Sequence, residues 1–279
     1  MPETGRPRLT IWGCRGSIAV GGPGTVRHGG ATSCVVIEEG PRRLVLDAGT
    51  GLRRYGRSLT PPDIPGPHTV LLTHTHWDHL IGLPFFPPLY HASATIKVLG
   101  PDQPGATLTQ VLDRLLDPAV WPLQPSADLR VTPVGPGRFE AGGFSVAAVR
   151  VAHAGVTLGY RIDTESGGSV SYVTDNELAA MHPEERSELV QLVAGSDVLI
   201  HDATYADAQL AERAGWGHSS AEESVRLGLE AGCRTVLLFH HDPDADDALV
   251  DERLELARRS AGSGDMTVMA AADGLILEF

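Results

Sequence analysis

The sequence predicts an α/β fold, and two observations carry that prediction. Short runs of apolar and β-branched residues recur along the chain, and between them lie stretches whose apolar residues return at helical spacing. A third observation says where the chemistry sits: several of the apolar runs end in histidine or aspartate.

Residues 9–12 read as a first strand, followed by the loop Gly13-Cys14-Arg15-Gly16-Ser17. Gly21, Gly22 and Gly24 extend that loop, and Gly29-Gly30 lead into Ala31-Thr32-Ser33. No phosphate-binding G-x-x-x-x-G-K-[ST] is present, so the glycines serve turns and close backbone approach. Arg15, Ser17, His28 and Ser33 are candidates for a pocket rim, with plain turn residues as the leading reading. Runs at 34–38 and 43–46, split by Glu39-Gly40-Pro41, predict a hairpin that ends in Asp47-Ala48-Gly49-Thr50-Gly51. A proline-rich loop over 61–67 leads to the apolar run 69–72, which opens directly into His74-Thr75-His76-Trp77-Asp78-His79. Phe85 and Phe86 follow, either as a pocket wall or lid or as ordinary packing.

A strand over 95–100 and a helix over 107–117, with Leu108, Val111, Leu112 and Leu115 on one face, come next. Strands begin at Leu129 and at Phe144, the latter running to His153. A hairpin over 156–163 and 169–174 closes on Asp175, 22 positions after His153. Helical spacing returns over 184–193, then a buried strand over 197–200 leads into His201-Asp202-Ala203-Thr204. Gly217-His218-Ser219-Ser220 gives a cap-like start to a helix ending at Ala231. The last strong strand, 235–239, ends in His240-His241-Asp242-Pro243. Asp244, Asp246, Asp247 and Asp251 suit the N-terminal end of a following helix better than a calcium site. Apolar runs at 266–269 and 275–277 close the sheet. With no internal repeat and no linker, one domain spanning 1–279 is expected.

The formal net charge of −13 argues against general attraction to nucleic acid or to an anionic membrane. Cys14, Cys34 and Cys233 are few, odd in number and far apart, which fits buried thiols in a reducing compartment. The first residues lack a signal-peptide core, and no apolar run is long enough to span a bilayer. A cytoplasmic protein with no membrane partner is expected.

Four metal-ligating side chains fall within the six residues from His74 to His79, just after a buried strand. His74 and His76 share a face while the chain is extended, whereas Asp78 and His79 beyond the turn can point to different centres. That pattern suits two metal ions side by side. H-x-H-x-D-H after a strand resembles the signature of the metallo-β-lactamase superfamily of dinuclear hydrolases.

The resemblance implies an αββα sandwich, two mixed sheets flanked by helices. It implies His74, His76 and His153 on one metal, Asp78, His79 and His240 on the other, and Asp175 bridging both. His241 stays open as the alternative to His240. Asp47, in the D-x-G that ends a strand, would orient a ligating histidine from beneath. The segments at 201–204 and 217–219 resemble the H-E-A-T and G-H-S segments of the phosphodiesterase branch, which includes ribonuclease Z. There the acid orients the histidine that serves the leaving group. Here the pair would be Asp202 and His218, with the acid one methylene shorter than Glu, and His201 reads as structural.

The ligands are all nitrogen or oxygen, so two zinc ions are expected, with manganese or iron as alternatives. Two ions about 3.5–4 Å apart would share a hydroxide as nucleophile, with Asp78 accepting a hydrogen bond from it. The expected function is hydrolysis of a small or cyclic phosphodiester, an anion drawn by the metals. Hydrolysis of a lactone or thioester, and a non-catalytic biosynthetic accessory role, are the alternatives. Di-iron redox members resemble H-x-E-x-D-H, whereas position 76 here is histidine. Ribonuclease Z carries a long tRNA-clamping arm between the positions matching His153 and Asp175, and the short gap here weighs against a nucleic-acid polymer. A homodimer is compatible with the resemblance.

Overall fold

Fourteen strands form two seven-stranded sheets in a computed structural model that describes residues 6–279. Residues 1–5, the start of the stretch read as lacking a signal-peptide core, lie outside the described residues.

Arg8–Gly13 (β1), Cys34–Glu39 (β2) and Arg42–Leu46 (β3) form an antiparallel meander whose tight turn uses Gly40 at φ 57. Gly51–Ser58 (α1) carries the chain to Pro67–Leu71 (β4), which lies parallel to β3. A single turn of helix, Trp77–Leu80 (α2), follows. Thr95–Gly100 (β5), Leu108–Leu115 (α3) and Asp128–Pro133 (β6) then extend the sheet in parallel. The α3 start is fixed by Thr107, which accepts from the Gln110 N–H while the Gln110 side chain accepts from the Thr107 N–H.

Gly137–Ala141 (β7), Phe144–Val151 (β8), Thr157–Asp163 (β9) and Ser169–Val173 (β10) open the second sheet as an antiparallel run. Pro183–Val193 (α4) leads to Val198–Asp202 (β11), laid parallel to β10. Asp207–Leu210 (α5), Ala221–Ala231 (α6), Thr235–Phe239 (β12), Asp247–Ala261 (α7) and Thr267–Ala270 (β13) complete it. Ile276–Glu278 (β14) returns to pair with β1, so the two terminal runs close different sheets.

The pairing orders β14-β1-β2-β3-β4-β5-β6 and β7-β8-β9-β10-β11-β12-β13 match step for step. In each sheet three antiparallel links are followed by three parallel ones. The sequence carries no repeat, yet its two halves repeat a topology. Each half switches from antiparallel to parallel at one point, β3/β4 or β10/β11. Crevices outside the carboxyl ends of strands at such points are where α/β sheets place ligands.

The inner faces of both sheets bury Ile37, Leu44, Leu46, Tyr160, Tyr172, Ile200, Leu237 and Phe239 against one another. The outer face of the first sheet packs on α1 and α3 through Leu52, Tyr55, Leu108 and Leu112, and that of the second on α4, α6 and α7. The αββα layering expected from the resemblance is the one observed. Three elements lacked a sequence signal. In α1, G-L-R-R-Y-G-R-S offers only Leu52 and Tyr55 as apolar contacts. The edge strand β7 is mostly exposed, and α5 is a single turn.

Leu237 is fully buried between the sheets. Leu237→Ala should cost about 3 kcal/mol and lower the melting temperature by roughly 6–12 °C in a thermal scan. A shift under about 2 °C would show that the inter-sheet layer is not the stabilising core.

Candidate metal centre

The chain leaves β4 extended, passes Thr73 and His74, and turns into α2 with His76 as its N-cap at φ −70 and ψ 157. That turn buries Asp78 and His79 while His76 and Trp77 stay exposed. The other strand ends meet this loop. Asp47 follows β3 at φ 60, Asp175 follows β10 at φ 53 and His240 follows β12 at φ 58. Ser17, at φ 59, donates its N–H to Asp78 Oδ2 at 2.8 Å. Among the described residues these are the four non-glycine residues at positive φ, and all four lie at one cluster. Each such conformation costs about 1–2 kcal/mol, so their clustering marks a site that the rest of the fold must hold in place.

Two ligand groups result. Donor atoms of His74, His76, His153 and Asp175 all lie within 4.8 Å of one another, and so do those of Asp78, His79, Asp175 and His240. Asp175 belongs to both. Its Oδ1 stands 3.5 Å from His153 Nε2 and 3.3 Å from His240 Nε2, and its Oδ2 stands 3.2 Å from His79 Nε2. His153 itself lies in the bend just past β8, two residues beyond the strand.

The far nitrogens of these rings are held by the protein. His79 Nδ1 donates to Asp47 Oδ2 at 2.8 Å, and His153 Nδ1 donates to the Gly217 carbonyl at 2.9 Å. His74 Nδ1 meets the Thr73 hydroxyl at 3.0 Å, and His240 Nδ1 meets the Thr204 hydroxyl at 3.1 Å. Each hydroxyl spends its own proton on a carboxylate or carbonyl, Thr73 on Asp47 and Thr204 on Asp202 or the His240 carbonyl. All four rings therefore carry their proton on Nδ1 and turn Nε2 inward as a ligand. Tyr172 donates a further bond to Asp47 at 2.9 Å.

This arrangement fits divalent cations. His74 Nε2 and His79 Nε2 are buried and have no hydrogen-bond partner. A buried polar atom left unpaired costs free energy unless a ligand takes it up. Asp47, Asp78, Asp175 and Asp202 are buried, and among the described residues none pairs with lysine or arginine. Burial works to raise Asp175, but His240, His79 and His74 hold its carboxyl well below the usual range. Burial, with His79 beside it, keeps His74 well below the ordinary imidazole value, so its lone pair is available.

A third group, Asp202, His218 and His240, adjoins the second. His218 Nδ1 donates to Asp202 Oδ2 at 2.7 Å, so the shorter acid still reaches its partner. Thr204 N–H and hydroxyl fix the other oxygen of Asp202. Burial opposes protonation of His218, but the Asp202 carboxylate outweighs it and raises the imidazole to about 9. The His218 ring stacks 4.9 Å from that of His240 and lies 5.2 Å from that of His153.

Other expectations sort cleanly. His241 points away, its Nε2 on the Ala271 carbonyl at 3.0 Å, which leaves His240 in the cluster. His201 is buried on Ser224 and the Asp202 carbonyl. Of the four rim candidates only Ser17 touches the cluster, through its backbone. Arg15 is fully buried on the carbonyls of Gly29, Asp242 and Ala245, and His28 binds Asp251 and Ala271. Ser33 is buried too. Phe86 packs in the core beside Tyr55, whereas Phe85 is exposed against Trp121. In the acidic cluster, Asp246 caps α7 but Asp247 and Asp251 hold the Arg27–His28 loop, a tertiary role that helix-dipole reasoning missed. Thr73, Thr204, Tyr172 and the Gly217 carbonyl also went unread, because hydroxyl and carbonyl partners carry no spacing signature. Gly16 and Gly217 must be glycine: an added Cβ would lie 2.4 Å from the His240 ring and 2.1 Å from His153 Nδ1.

Residues 42–241, which include every ligand candidate together with Asp202 and His218, match the family described as the beta-lactamase superfamily domain. The chain is 27% identical over 268 residues to a ribonuclease Z of Nocardia farcinica, covering 80% of this chain and 85% of that one. Its fold resembles the metallo-beta-lactamase fold protein YhfI of Bacillus subtilis, with TM-score 0.74, 20% identity, and 98% and 100% of the two chains covered. It also resembles a diphosphatase of the PhnP family, with TM-score 0.72, 20% identity, and 98% of each chain covered.

Removal of metal by a chelator should lower the melting temperature by roughly 5–10 °C, and zinc should restore it. Elemental analysis of the restored protein should give two ions per chain, and Asp175→Ala should reduce that number. An unmoved melting temperature with no bound ion would refute the centre.

Proposed function

The chain belongs to the β-lactamase superfamily of metal-dependent hydrolases, and we propose that the bond it breaks is that of a small or cyclic phosphodiester. The observation that carries this reading is the Asp202–His218 pair set against the ligand cluster. A phosphodiester needs a proton for its departing alkoxide far more than an activated ester does.

One cation would be held by His74, His76, His153 and Asp175, the other by Asp78, His79, His240 and Asp175. Bound there, zinc or a similar ion supplies Lewis acidity towards the phosphoryl oxygens and makes water acidic enough to attack at neutral pH. The chain does the rest. Asp78, anchored by the Ser17 N–H on Oδ2, stands where it would orient the attacking water. As water adds to phosphorus and the P–O bond to the leaving group breaks, His218 Nε2 gives its proton to the departing oxygen. The products are a phosphomonoester and an alcohol. Asp202 keeps the imidazole in the tautomer and orientation for that transfer, and Thr204 keeps Asp202 in place.

Support for a small substrate comes from the hairpin between β9 and β10, which closes through Thr164 and Gly168 and extends no arm. The charge of −13 also disfavours a polyanion. The diphosphatase with a similar fold is named for cleavage of a phosphate bond. A second reading, cleavage of an RNA chain, is favoured by the relative named ribonuclease Z. Cys14, Cys34 and Cys233 are all free and buried, which suits the reducing cytoplasm as the place of work.

His218→Ala should lower kcat on alkyl phosphodiesters by about 10²–10⁴ while metal content stays at the wild-type level. With a p-nitrophenyl leaving group, which departs without a proton, the loss should be far smaller. An equal loss on both classes would remove the proton-donor role. A panel of cyclic nucleotide, dinucleotide and 3′-extended tRNA separates the two readings.

A further inference from the structure

The segment that carries His218 also carries an array that the hydrolytic mechanism does not use. Trp216 is 58% exposed, and Arg213 lies over it with its guanidinium carbon 4.7 Å from the ring centroid. The same guanidinium is 5.9 Å from the Tyr205 ring, and that ring is 6.0 Å from His218. Among the described residues Arg213 has no carboxylate partner and no side-chain hydrogen bond. A phenol, a free cation and an indole thus follow one another outward from His218.

The array is held, not draped. Glu177, buried two residues after Asp175, accepts the Gly215 N–H on one oxygen and the Gly217 N–H on the other, both at 2.8 Å. Trp216 sits between these two clamped residues, and both glycines adopt positive φ, at 82 and 84. The carboxylate that fixes the indole therefore belongs to the same loop as the shared ligand Asp175. An exposed indole whose flanking backbone is clamped on both sides offers a preformed flat face for stacking, two residues from His218.

We propose that Trp216 and Arg213 form the seat for a nucleoside on the substrate. The base stacks on the open face of the Trp216 indole, and Arg213 meets the negative charge of the nucleotide. The proposal rests on the phosphodiesterase reading and narrows its substrate to a nucleoside-bearing phosphodiester, either free or at an RNA end. Base–aromatic stacking is worth about 1–3 kcal/mol, enough to set a preference of roughly ten-fold or more. Glu177 is a positioning residue that acts through the two glycines.

Titration calorimetry on zinc-loaded protein with AMP and with ribose 5-phosphate tests the seat without turnover. AMP should bind about ten-fold tighter, Trp216→Ala should abolish that margin, and Arg213→Ala should weaken both ligands. Equal binding of the two by the unaltered protein, or a margin that survives Trp216→Ala, would overturn the proposal. Turnover is then read on thymidine 5′-(p-nitrophenyl phosphate) and methyl p-nitrophenyl phosphate, which share the reacting bond and differ in the nucleoside. The first should be preferred through KM, and Glu177→Gln should shrink the ratio. Loss of the AMP margin with both esters cleaved sinks the seat alone, whereas an AMP margin with neither ester cleaved sinks the hydrolytic reading. A 3′-extended RNA stem run beside 2′,3′-cyclic AMP distinguishes the two sources of the nucleoside.

Discussion

Four buried carboxylates without a single basic side chain to meet them are the constraint on which this structure depends. Among the described residues Asp47, Asp78, Asp175 and Asp202 meet imidazoles, hydroxyls and backbone N–H groups, and no lysine or arginine. Burying one unpaired carboxylate costs several kcal/mol, and four within one cluster add mutual repulsion to that cost. Hydrogen bonds from hydroxyls and backbone N–H groups solvate such charge without cancelling it. Divalent cations would cancel it, and they would also take up the orphaned nitrogens of His74 and His79. The same fields that would unsettle an empty pocket are those that retain metal.

The repeated topology explains how residues from distant parts of the chain reach one point. Each half places its antiparallel-to-parallel switch in the middle of a sheet, and the two sheets pack face to face. Corresponding strand ends then converge: Asp47 after β3 answers Asp175 after β10, and both bend at positive φ. The loop after β4 brings His74, His76, Asp78 and His79 to the cluster, whereas the end of β11 brings Asp202 and the segment before α6 brings its partner His218. The first half would thus furnish four of the seven proposed ligands, and the second the other three with the proposed proton donor. This division of labour rests on geometry, since no sequence repeat accompanies it.

The strands, and the residues that meet at the cluster, leave periodic or spaced signals in the sequence. An apolar run that stops at histidine or aspartate announces a strand end with chemistry on it, and His74, His153, Asp175 and His240 all stand just past such runs and meet at the cluster. The His240 or His241 ambiguity could not be resolved from spacing. It turns on whether the residue after β12 bends at φ 58, and that bend needs the bare backbone of Gly16 against the ring. Arg15 misled because arginine at a glycine-rich loop suggests a rim. Two of the three carbonyls it is buried against, those of Asp242 and Ala245, belong to the β12–α7 loop, more than two hundred residues away in sequence. Helix α1 and strand β7 were missed because each has too few apolar residues to show a period.

Net charge and local charge pull in opposite directions here, and their balance bears on substrate size. A surface at −13 repels a polyanion along its whole length, and that repulsion is screened beyond about 8 Å at physiological salt. A small diester would present its charge only to bound cations and the groups beside them. A chain of phosphates must lay further charges across the acidic surface and gains nothing from the metals for doing so. An RNA terminus could still be accepted if only its last nucleotides approach the protein. The charge distribution therefore selects for how much of the substrate touches the surface rather than for what the substrate is called.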